Sequence, residues 1–347
     1  MKINFASIRK ILVLRYRSIG DILLANPALK GLRDKFHNAK IHVLTDDDFE
    51  EILRGNPNVD RVILNPRKPA GSKWMGDIAM VKKLRAEKYD IAVDLHGGPR
   101  SAMFTLLSGA ALRAGHAFRL RNRISYNVPV THCAADEHTW KVQFRVVAEL
   151  GAKWPTMPEY FLQVDETSAL SMKERLERAG FTFDRPLALL HPGARVMVKQ
   201  WPAERMGELA RWLVDEKKVA VFLAGSPADG PEIRKIRNAS GYALPFFTEL
   251  KLGELVALIN RSALVVCNDS GPMHIAGVLN IPTIALFGPS DPHIWAPVGE
   301  RNITLACAPM ECMPCDQKHC PYEGNHCMTR ISVDEVKRAV GRMGVLG

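Results

Sequence analysis

The stretch that decides the fold runs from Asn268 to Gly299 and reads NDSGPMHIAGVLNIPTIALFGPSDPHIWAPVG. Before it, Leu264–Cys267 is an apolar run of strand length. Residues 268–272 then supply Asp and Ser, which are good N-caps, and a Pro suited to a first turn, so a helix begins here. The next strand is Ile281–Phe287, and the next loop Gly288–Asp291. Two loops at the carboxyl edge of a parallel sheet, one of them opening a helix, predict a nucleotide-sized anion site.

Length and charge narrow the classes of protein to which the chain can belong. With 347 residues, 47% of them hydrophobic, it is long enough for about two domains. A formal charge of +10 indicates an anionic partner. No apolar run approaches the ~18 residues that cross a bilayer, and Arg15 and Arg17 end the run Ile11–Leu14, which argues against a signal peptide. We therefore expect a cytoplasmic protein with peripheral attraction to the inner membrane face.

Five of the seven cysteines crowd into residues 307–327, whereas Cys133 and Cys267 stand alone. In a reducing compartment these are not expected to be structural disulfides. A Cys-x2-Cys-x4-Cys-x6-Cys spacing with two nearby histidines could form a zinc site, and the alternative is a packed loop of reduced thiols. Only one CxxC pair is present and the other spacings are irregular, so we predict no metal ion. The residues concerned are Cys312, Cys315, His319, Cys320, His326 and Cys327.

Strand and helix patterns alternate in both halves of the chain. In the first half, a strand at Ile11–Tyr16 is followed by a helix at Ile22–Lys35, and a later strand covers Tyr89–Leu95. The pattern loosens over 150–184 and restarts with a strand at Pro186–His191. This alternation predicts an α/β fold with two doubly wound, Rossmann-like parallel sheets. We predict a first domain over residues 1–165, a second over 166–330 that includes the Cys-rich tail, and a C-terminal helix over 331–347.

The fold alone leaves the function open, because dehydrogenases, sugar-nucleotide epimerases and binding proteins also have two α/β domains. No G-x-G-x-x-G follows the first strand, which argues against a dinucleotide enzyme, and no G-x-x-x-x-G-K-[ST] is present.

Four segments, taken together and in this order, resemble glycosyltransferase family 9, the heptosyltransferases of lipopolysaccharide core assembly. They are Ile11–Leu29 (ILVLRYRSIGDILLANPAL), Asp94–Arg100 (DLHGGPR), His191–Pro202 (HPGARVMVKQWP) and Asn268–Gly299. The Cys-rich tail is also similar to that of many members. Each motif alone is weak, but all four at these separations are specific, and they span nearly the whole chain.

The resemblance implies a GT-B architecture, in which two doubly wound domains face a central cleft. It implies that the N-terminal domain binds the acceptor and the C-terminal domain binds the nucleotide sugar. The implied reaction is inverting and metal-independent, and it moves heptose from ADP-L-glycero-D-manno-heptose to the anionic inner core of lipopolysaccharide without a cofactor.

Inverting transfer needs a base that removes the proton of the acceptor hydroxyl. Asp21 matches the family's proposed base, in the Ser-x-Gly-Asp turn between the first strand and its helix. From the residues alone, an Asp at a helix start could as well be an N-cap.

The departing ADP needs a cation, and Lys199, in a loop after the strand that ends at His191, is the expected one. The alternative is a solvated loop lysine. Gly271 has no side chain, so the backbone there could approach a diphosphate, and Ser270 could donate hydrogen bonds to it. Asp269 would instead accept hydrogen bonds from sugar hydroxyls or cap the helix. The predicted donor-binding residues are Gly20, His191, Gly193, Lys199, Gly225, Ser226, Asp269, Ser270, Gly271 and His274.

Several arginines of the first half could hold phosphates or carboxylates of the acceptor, although such a run is often only a solvated face. Aromatic residues are not interleaved with them, so we expect no nucleic acid partner. The predicted acceptor-binding residues are Arg61, Arg100, Arg113, Arg119, Arg121 and Arg123, with His116 in the same basic stretch.

The chain departs from the family pattern after Val219–Ala224, where some heptosyltransferases carry an acidic residue and Gly225-Ser226 stands here. This departure leaves recognition of the nucleoside open. The alternatives are a family member with another nucleotide sugar or acceptor, and a non-catalytic sugar-nucleotide-binding protein of the same fold.

Overall fold

The computed structural model of the chain describes residues 5–66, 72–118, 124–313 and 326–346, together with Cys315, Gln317, Cys320 and Tyr322. The chain divides into two compact units, Met1–Gln163 and Val164–Gly347. The division falls close to the predicted domain boundary. The C-terminal helix, which we treated as a separate segment, is part of the second unit.

The first unit contains a six-stranded parallel sheet with helices around it. Its strands are β1 (Lys10–Leu14), β2 (Lys40–Asp46), β3 (Arg61–Asn65), β4 (Ile91–Asp94), β5 (Leu112–His116) and β6 (Val128–Val130). Its helices are α1 (Ile19–Leu23), α2 (Asn26–Lys35), α3 (Glu50–Leu53), α4 (Lys73–Ala86), α5 (Pro99–Leu107) and α6 (Thr139–Ala148). The strand order is β3-β2-β1-β4-β5-β6. The central strands are continuous apolar runs because helices bury both of their faces.

The predicted single helix over Ile22–Lys35 is wrong. The chain instead forms two helices, α1 and α2, separated at Leu24 and Ala25. Pro27 has no N–H and is tolerated only in a first turn, so a new helix must begin next to it. The side-chain amide of Asn26 donates to the carbonyl of Leu23 at 2.9 Å and fixes the break.

Residues 99–148 contain α5, β5, β6 and α6, none of which we predicted. The strand β5 reads LRAGH and β6 reads VPV, so neither shows an alternating or continuous apolar pattern. Tertiary packing replaces that pattern, since a Cβ on Gly115 would lie 2.6 Å from the ring of Tyr126. Gly115 therefore admits the aromatic ring against the strand.

The second unit repeats the arrangement with a second six-stranded parallel sheet. Its strands are β7 (Leu187–His191), β8 (Ala220–Ala224), β9 (Phe246–Phe247), β10 (Leu264–Asn268), β11 (Thr283–Phe287) and β12 (Asn302–Ala306). Its helices are α7 (Glu166–Arg178), α8 (Ala203–Asp215), α9 (Gly230–Ser240), α10 (Leu252–Arg261), α11 (Gly271–Val278), α12 (Pro292–Trp295), α13 (His326–Thr329) and α14 (Val333–Met343). The strand order is β12-β11-β10-β7-β8-β9. One buried cluster joins β7, β8, β10 and β11 to α8 and α14.

Both sheets wind outward from a central pair of strands. In the first, the chain runs from β1 to β3 in one direction and from β4 to β6 in the other. In the second, β7 to β9 and β10 to β12 do the same. The winding reverses between β1 and β4 and between β7 and β10, and ligands of doubly wound sheets bind at the carboxyl ends of the strands at such points. The predicted α/β fold with two doubly wound sheets is confirmed.

Among the described residues we find no helix with the length and apolarity that crossing a membrane requires.

Candidate functional site

Asp21 lies in α1, just beyond the carboxyl end of β1. Its Oδ2 accepts hydrogen bonds from the backbone N–H of Ser18 at 2.8 Å and from the Ser18 hydroxyl at 3.2 Å. Ser18 is therefore the N-cap, and Asp21 is the third helical residue of a capping box. The alternative of Asp21 as N-cap is wrong, although the carboxylate does contribute to the helix start.

Arg15 holds the other oxygen of this carboxylate. Its guanidinium forms an ion pair with Oδ1 of Asp21 and donates to the carbonyl of Leu95 at 2.8 Å. Burial lowers the pKa of Arg15, and the charges of Asp21 and Asp94 oppose that shift. Because Leu95 follows β4, Arg15 joins the loops after β1 and β4, where the winding of the first sheet reverses. We had interpreted Arg15 only as the end of an apolar run, and its place three residues before the Ser-x-Gly-Asp turn was the signal that we missed.

Asp94 organises the loop after β4. It is fully buried, and its Oδ2 accepts from the Tyr126 hydroxyl at 2.7 Å. Its Oδ1 accepts from the backbone N–H groups of His96 and Gly97, each at 2.9 Å. Burial raises the pKa of Asp94 and these hydrogen bonds oppose the rise. The DLHGGPR motif, in which we gave a role to Arg100 alone, therefore shapes the edge of the sheet beside Asp21.

Two histidines at this edge are neutral at neutral pH. Burial lowers the pKa of His96 to about 4, and the nearby charge of Arg15 adds to the shift. Burial also lowers the pKa of His116, at the end of β5, to about 4. His116 therefore adds no positive charge to the predicted basic stretch.

Among the predicted acceptor arginines in the described part of the chain, Arg100 alone lies at the carboxyl edge. It lies in the first turn of α5, and its Nε donates to Asp77 at 2.8 Å. Arg61 is the first residue of β3, so it lies at the amino edge, where it pairs with Glu87 at 2.8 Å. Arg61 therefore lies at the opposite edge of the sheet from Asp21, and this position does not support the predicted acceptor contact.

Arg113 supports the backbone. Its guanidinium donates to the carbonyls of Ser125 and Ala110, each at 3.0 Å. These bonds stabilise the start of β5 at the amino edge of the sheet, so the prediction of acceptor contact for Arg113 is not supported. The remaining acceptor predictions, Arg119, Arg121 and Arg123, lie outside the described residues.

The second unit carries its own ion pair where the winding of its sheet reverses. The Nζ of Lys199 lies 2.7 Å from Oδ2 of Asp269, and both side chains are largely buried. Lys199 ends a short 3-10 turn in the loop after β7, and Asp269 directly follows β10. Lys199 is therefore not a solvated loop lysine. Asp269 does not cap the next helix either, since the N-cap is Ser270.

Asn268 fixes the loop that carries Lys199. This fully buried residue donates to the carbonyl of Pro192 at 2.7 Å and accepts from the backbone N–H of Trp201 at 3.0 Å. The Trp201 indole is buried and donates to the carbonyl of Ile331 at 2.9 Å. Both ends of the loop are thus anchored, which holds the lysine in place.

The first turn of α11 opens beside this ion pair. The hydroxyl of Ser270 donates to the carbonyl of Asn268 at 3.1 Å, and Gly271 is the first helical residue. His274 is buried one turn into the helix. The N–H groups of this turn lie at the carboxyl edge of β10, as predicted.

Asp229 is a candidate site residue that we did not predict. Its Oδ2 accepts from the backbone N–H and the hydroxyl of Ser226, both at 2.7 Å. A Cβ on Gly193 would lie 2.6 Å from this oxygen, and a Cβ on Gly225 would lie 3.0 Å from it. Both glycines therefore make room for the carboxylate between the loops after β7 and β8. An acidic group does stand here, four residues beyond the place where we noted its absence.

Two further residues that we predicted to bind the donor are His191 and Gly20, which lie in different units. His191 ends β7 and is buried, and burial lowers its pKa. Gly20 lies in the first unit, buried in α1 beside Asp21, whereas the other predicted donor residues belong to the second unit.

Within the described ranges, no group of three His, Cys, Asp or Glu side chains is placed to hold a metal ion. The seven cysteines are all free thiols.

Known proteins resemble the chain along most of its length. The family profile of glycosyltransferase family 9 (heptosyltransferase) matches residues 78–326. Lipopolysaccharide heptosyltransferase 3 of Escherichia coli is 27% identical over 293 residues, which cover 82% of this chain and 85% of that protein. Among solved structures, a family 9 glycosyltransferase from Veillonella parvula has a TM-score of 0.85 at 24% identity and 98% coverage of both chains. The ADP-heptose lipopolysaccharide heptosyltransferase II of Escherichia coli has a TM-score of 0.78 at 23% identity, with 96% of this chain and 98% of that chain covered. These likenesses confirm the predicted GT-B fold class.

Proposed function

The chain belongs to glycosyltransferase family 9, the heptosyltransferases, and from this membership we propose that it transfers heptose from ADP-L-glycero-D-manno-heptose to the inner core of lipopolysaccharide. We propose an inverting reaction that needs no metal ion, with the acceptor bound by the first unit and the donor by the second. One observation carries the proposal: each sheet places an ion pair where its winding reverses, Arg15–Asp21 in the first unit and Lys199–Asp269 in the second.

In this proposal Lys199 binds the diphosphate of the donor. Asp269 holds the ammonium group in place before the donor arrives, and the diphosphate then competes for it. As the bond between the anomeric carbon and ADP breaks, negative charge grows on the diphosphate. A fixed cation therefore stabilises the transition state more than it stabilises the ground state. The N–H groups at the start of α11 add to this stabilisation. The Asp269 carboxylate is then available to accept a hydrogen bond from a sugar hydroxyl.

Asp229 binds the ribose. Ser226 donates to Oδ2 of this carboxylate. In the described part of the chain we find no hydrogen bond to Oδ1, which leaves that oxygen available to the ribose. A carboxylate beside a nucleotide site commonly accepts hydrogen bonds from ribose hydroxyls. Gly193 and Gly225 keep the backbone of both loops close to it.

Asp21 is the general base. Each carboxylate oxygen has two acceptor sites, so bonds from Arg15 and Ser18 leave capacity for the acceptor hydroxyl. As the hydroxyl oxygen attacks the anomeric carbon from the face opposite ADP, its proton moves to Asp21 and ADP leaves. Arg15, held by the carbonyl of Leu95, keeps the carboxylate in one orientation.

The acceptor is anionic in this proposal. Arg100 lies at the carboxyl edge of the first sheet, and the chain carries a formal charge of +10. Both features favour a phosphate-bearing core, and with it peripheral association with an anionic membrane face.

The direct test is a transfer assay with the full chain, ADP-heptose and a heptose-deficient core acceptor. We expect heptosylated product of inverted anomeric configuration, equal rates with and without a chelator, and little transfer from UDP- or GDP-linked sugars. Efficient transfer from another nucleotide sugar would overturn the donor assignment. A product with the donor's own anomeric configuration would overturn the inverting mechanism.

A further inference from the structure

Four cysteines of the C-terminal tail line one small cavity against the proposed donor site. The cavity has a volume of about 10 Å³, and Val198 and Pro289 form part of its wall. Val198 precedes Lys199, and Pro289 lies in the loop after β11. Two loops at the donor edge of the sheet therefore rest on this group of thiols. The cysteines are Cys312, Cys315, Cys320 and Cys327.

The contact between the tail and the loop after β11 is tight. A Cβ on Gly288 would lie 2.8 Å from Sγ of Cys327 and 2.4 Å from Sδ of Met328. The Sγ of Cys307 donates to the carbonyl of Gly288 at 4.0 Å. Packing this close holds Cys327 and Met328 against Gly288, so a displacement of the tail is passed on to the loop.

The thiols differ in accessibility and environment. Cys312 and Cys315 are partly exposed, and the Sγ of Cys315 accepts a hydrogen bond from the backbone N–H of Gln317 at 3.3 Å. Peroxide reaches a partly exposed thiol more readily than a buried one. Burial raises the pKa of Cys327 to about 11 and also raises the pKa of Cys307, so these two stay protonated and unreactive.

The arrangement favours sulfur–sulfur chemistry over a metal site. The four thiols share a cavity, yet in the described part of the chain no three of them meet as ligands of one ion. Two cysteines separated by two residues, by contrast, are spaced as in the redox pairs of thiol oxidoreductases.

We propose that Cys312 and Cys315 form a reversible disulfide that weakens nucleotide binding by the second unit. The inference rests on the proposed function for the identity of the nucleotide. Hydrogen peroxide serves as oxidant. The Cys315 thiolate attacks one peroxide oxygen, the O–O bond breaks, hydroxide leaves and a sulfenic acid forms. The Cys312 thiol then attacks that sulfur, the S–S bond forms, and its proton leaves with the hydroxyl group as water.

The disulfide changes the donor site through packing. An S–S bond is about 2.05 Å long and both cysteines are free thiols, so at least one of the two sulfur atoms must move in the wall of the cavity. Val198 and Pro289 then lose contacts, and the loop that carries Lys199 becomes less well held. Addition of a thiol reductant restores the two thiols and with them the original packing.

The test compares reduced and peroxide-treated full chain by three readouts. Peptide mass spectrometry maps the disulfide, titration calorimetry measures the affinity for ADP, and hydrogen–deuterium exchange follows residues 192–201 and 288–291. We expect a Cys312–Cys315 disulfide, affinity for ADP lower by about fivefold, faster exchange in both segments, and recovery with dithiothreitol. Cys315→Ser and Cys312→Ser should abolish the response, whereas Cys133→Ser, in the first unit, should respond like the wild type.

Three results would overturn the inference: a disulfide elsewhere, a Cys312–Cys315 disulfide with unchanged exchange and affinity, or release of one metal ion per chain on oxidation. The exchange readout needs no nucleotide. Faster exchange in a protein that neither binds ADP nor transfers heptose would refute the proposed function and leave the disulfide standing. Heptose transfer at an unchanged rate in a protein with the mapped disulfide would refute this inference and leave the proposed function standing.

Discussion

In the first unit an arginine holds a carboxylate, whereas in the second unit a carboxylate holds a lysine. Arg15 and Asp21 meet beside β1 and β4, and Lys199 and Asp269 meet between the loops after β7 and β10. The two sheets share one topology, and both ion pairs occupy the same topological place. The partners that we propose as reactive, Asp21 and Lys199, have opposite charges. The fold thus offers one position twice, and in the proposed function the side chain placed there decides whether the unit accepts a proton or stabilises a diphosphate.

The groups that surround the two ion pairs also differ. Asp21 is fixed by polar groups from its own turn and by Arg15, which is itself bonded to Leu95. Lys199 sits in a loop that Asn268 ties down at both ends, next to the start of α11. We infer that the first unit is built to orient a base, and the second to keep a cation and backbone N–H groups beside a leaving group.

The largest expected effect comes from Asp21→Asn. An amide cannot take the acceptor's proton, so kcat should fall by roughly 10³-fold, within the range for loss of a general base. Steady-state kinetics of heptose transfer checks this. Asp34→Asn, an exposed carboxylate of the same unit that pairs with Lys30, should retain full activity. Loss of less than tenfold in Asp21→Asn would remove Asp21 from the role of base.

A smaller effect is expected from Lys199→Ala. Without the ammonium group the charge of the departing ADP is less well stabilised, and kcat/KM should fall by about 10²-fold. Lys235→Ala serves as control, because this lysine is exposed and pairs with Glu232 on α9. Unchanged kcat/KM in Lys199→Ala would break the comparison between the two ion pairs.

Arg15→Lys should lower kcat by about tenfold and leave the KM for both substrates nearly unchanged. A lysine keeps the charge but cannot contact Asp21 and the carbonyl of Leu95 in the same planar geometry. Arg33 bonds a carboxylate and a carbonyl in the same way, to Asp60 and Ala39, so Arg33→Lys is the matched control. Equal losses in both variants would indicate a general effect on folding, and the pH–rate profile should shift only in Arg15→Lys.

The smallest effect is the share of the pH dependence of stability that His116 contributes, beside that of His96. The pKa of His116 is about 4 in the folded chain and near 6.5 when unfolded. The unfolded state therefore binds the proton first, so this stability is present above pH 6.5 and is lost as the pH falls toward 4. Between pH 7.5 and 5.5 the loss should be about 1 kcal/mol in urea unfolding. His116→Gln should flatten that slope, and an unchanged slope would contradict the assignment.

Patterns local in sequence predicted most of the fold. Buried runs such as Leu264–Asn268 and the N-cap at Ser270 depend only on neighbouring residues, and they appear in the structure. The strand β5 was not predictable in this way, because the packing of Gly115 under Tyr126 takes the place of an apolar pattern.

The same reason explains the outcome for the site. Asp21 and Lys199 were found through motifs, but their partners Arg15 and Asp269 could not be paired from sequence. Asp229 was missed because its carboxylate reaches back to Gly225 through a turn that the spacing alone does not reveal.

The most direct test of the division between the two units is titration of ADP into Asp21→Asn and Lys199→Ala. We expect Asp21→Asn to bind ADP as the wild type does, because the base takes no part in nucleotide binding. We expect Lys199→Ala to bind ADP about tenfold more weakly, because the diphosphate loses its cation. Equal weakening in both variants, or unchanged affinity in Lys199→Ala, would contradict the account.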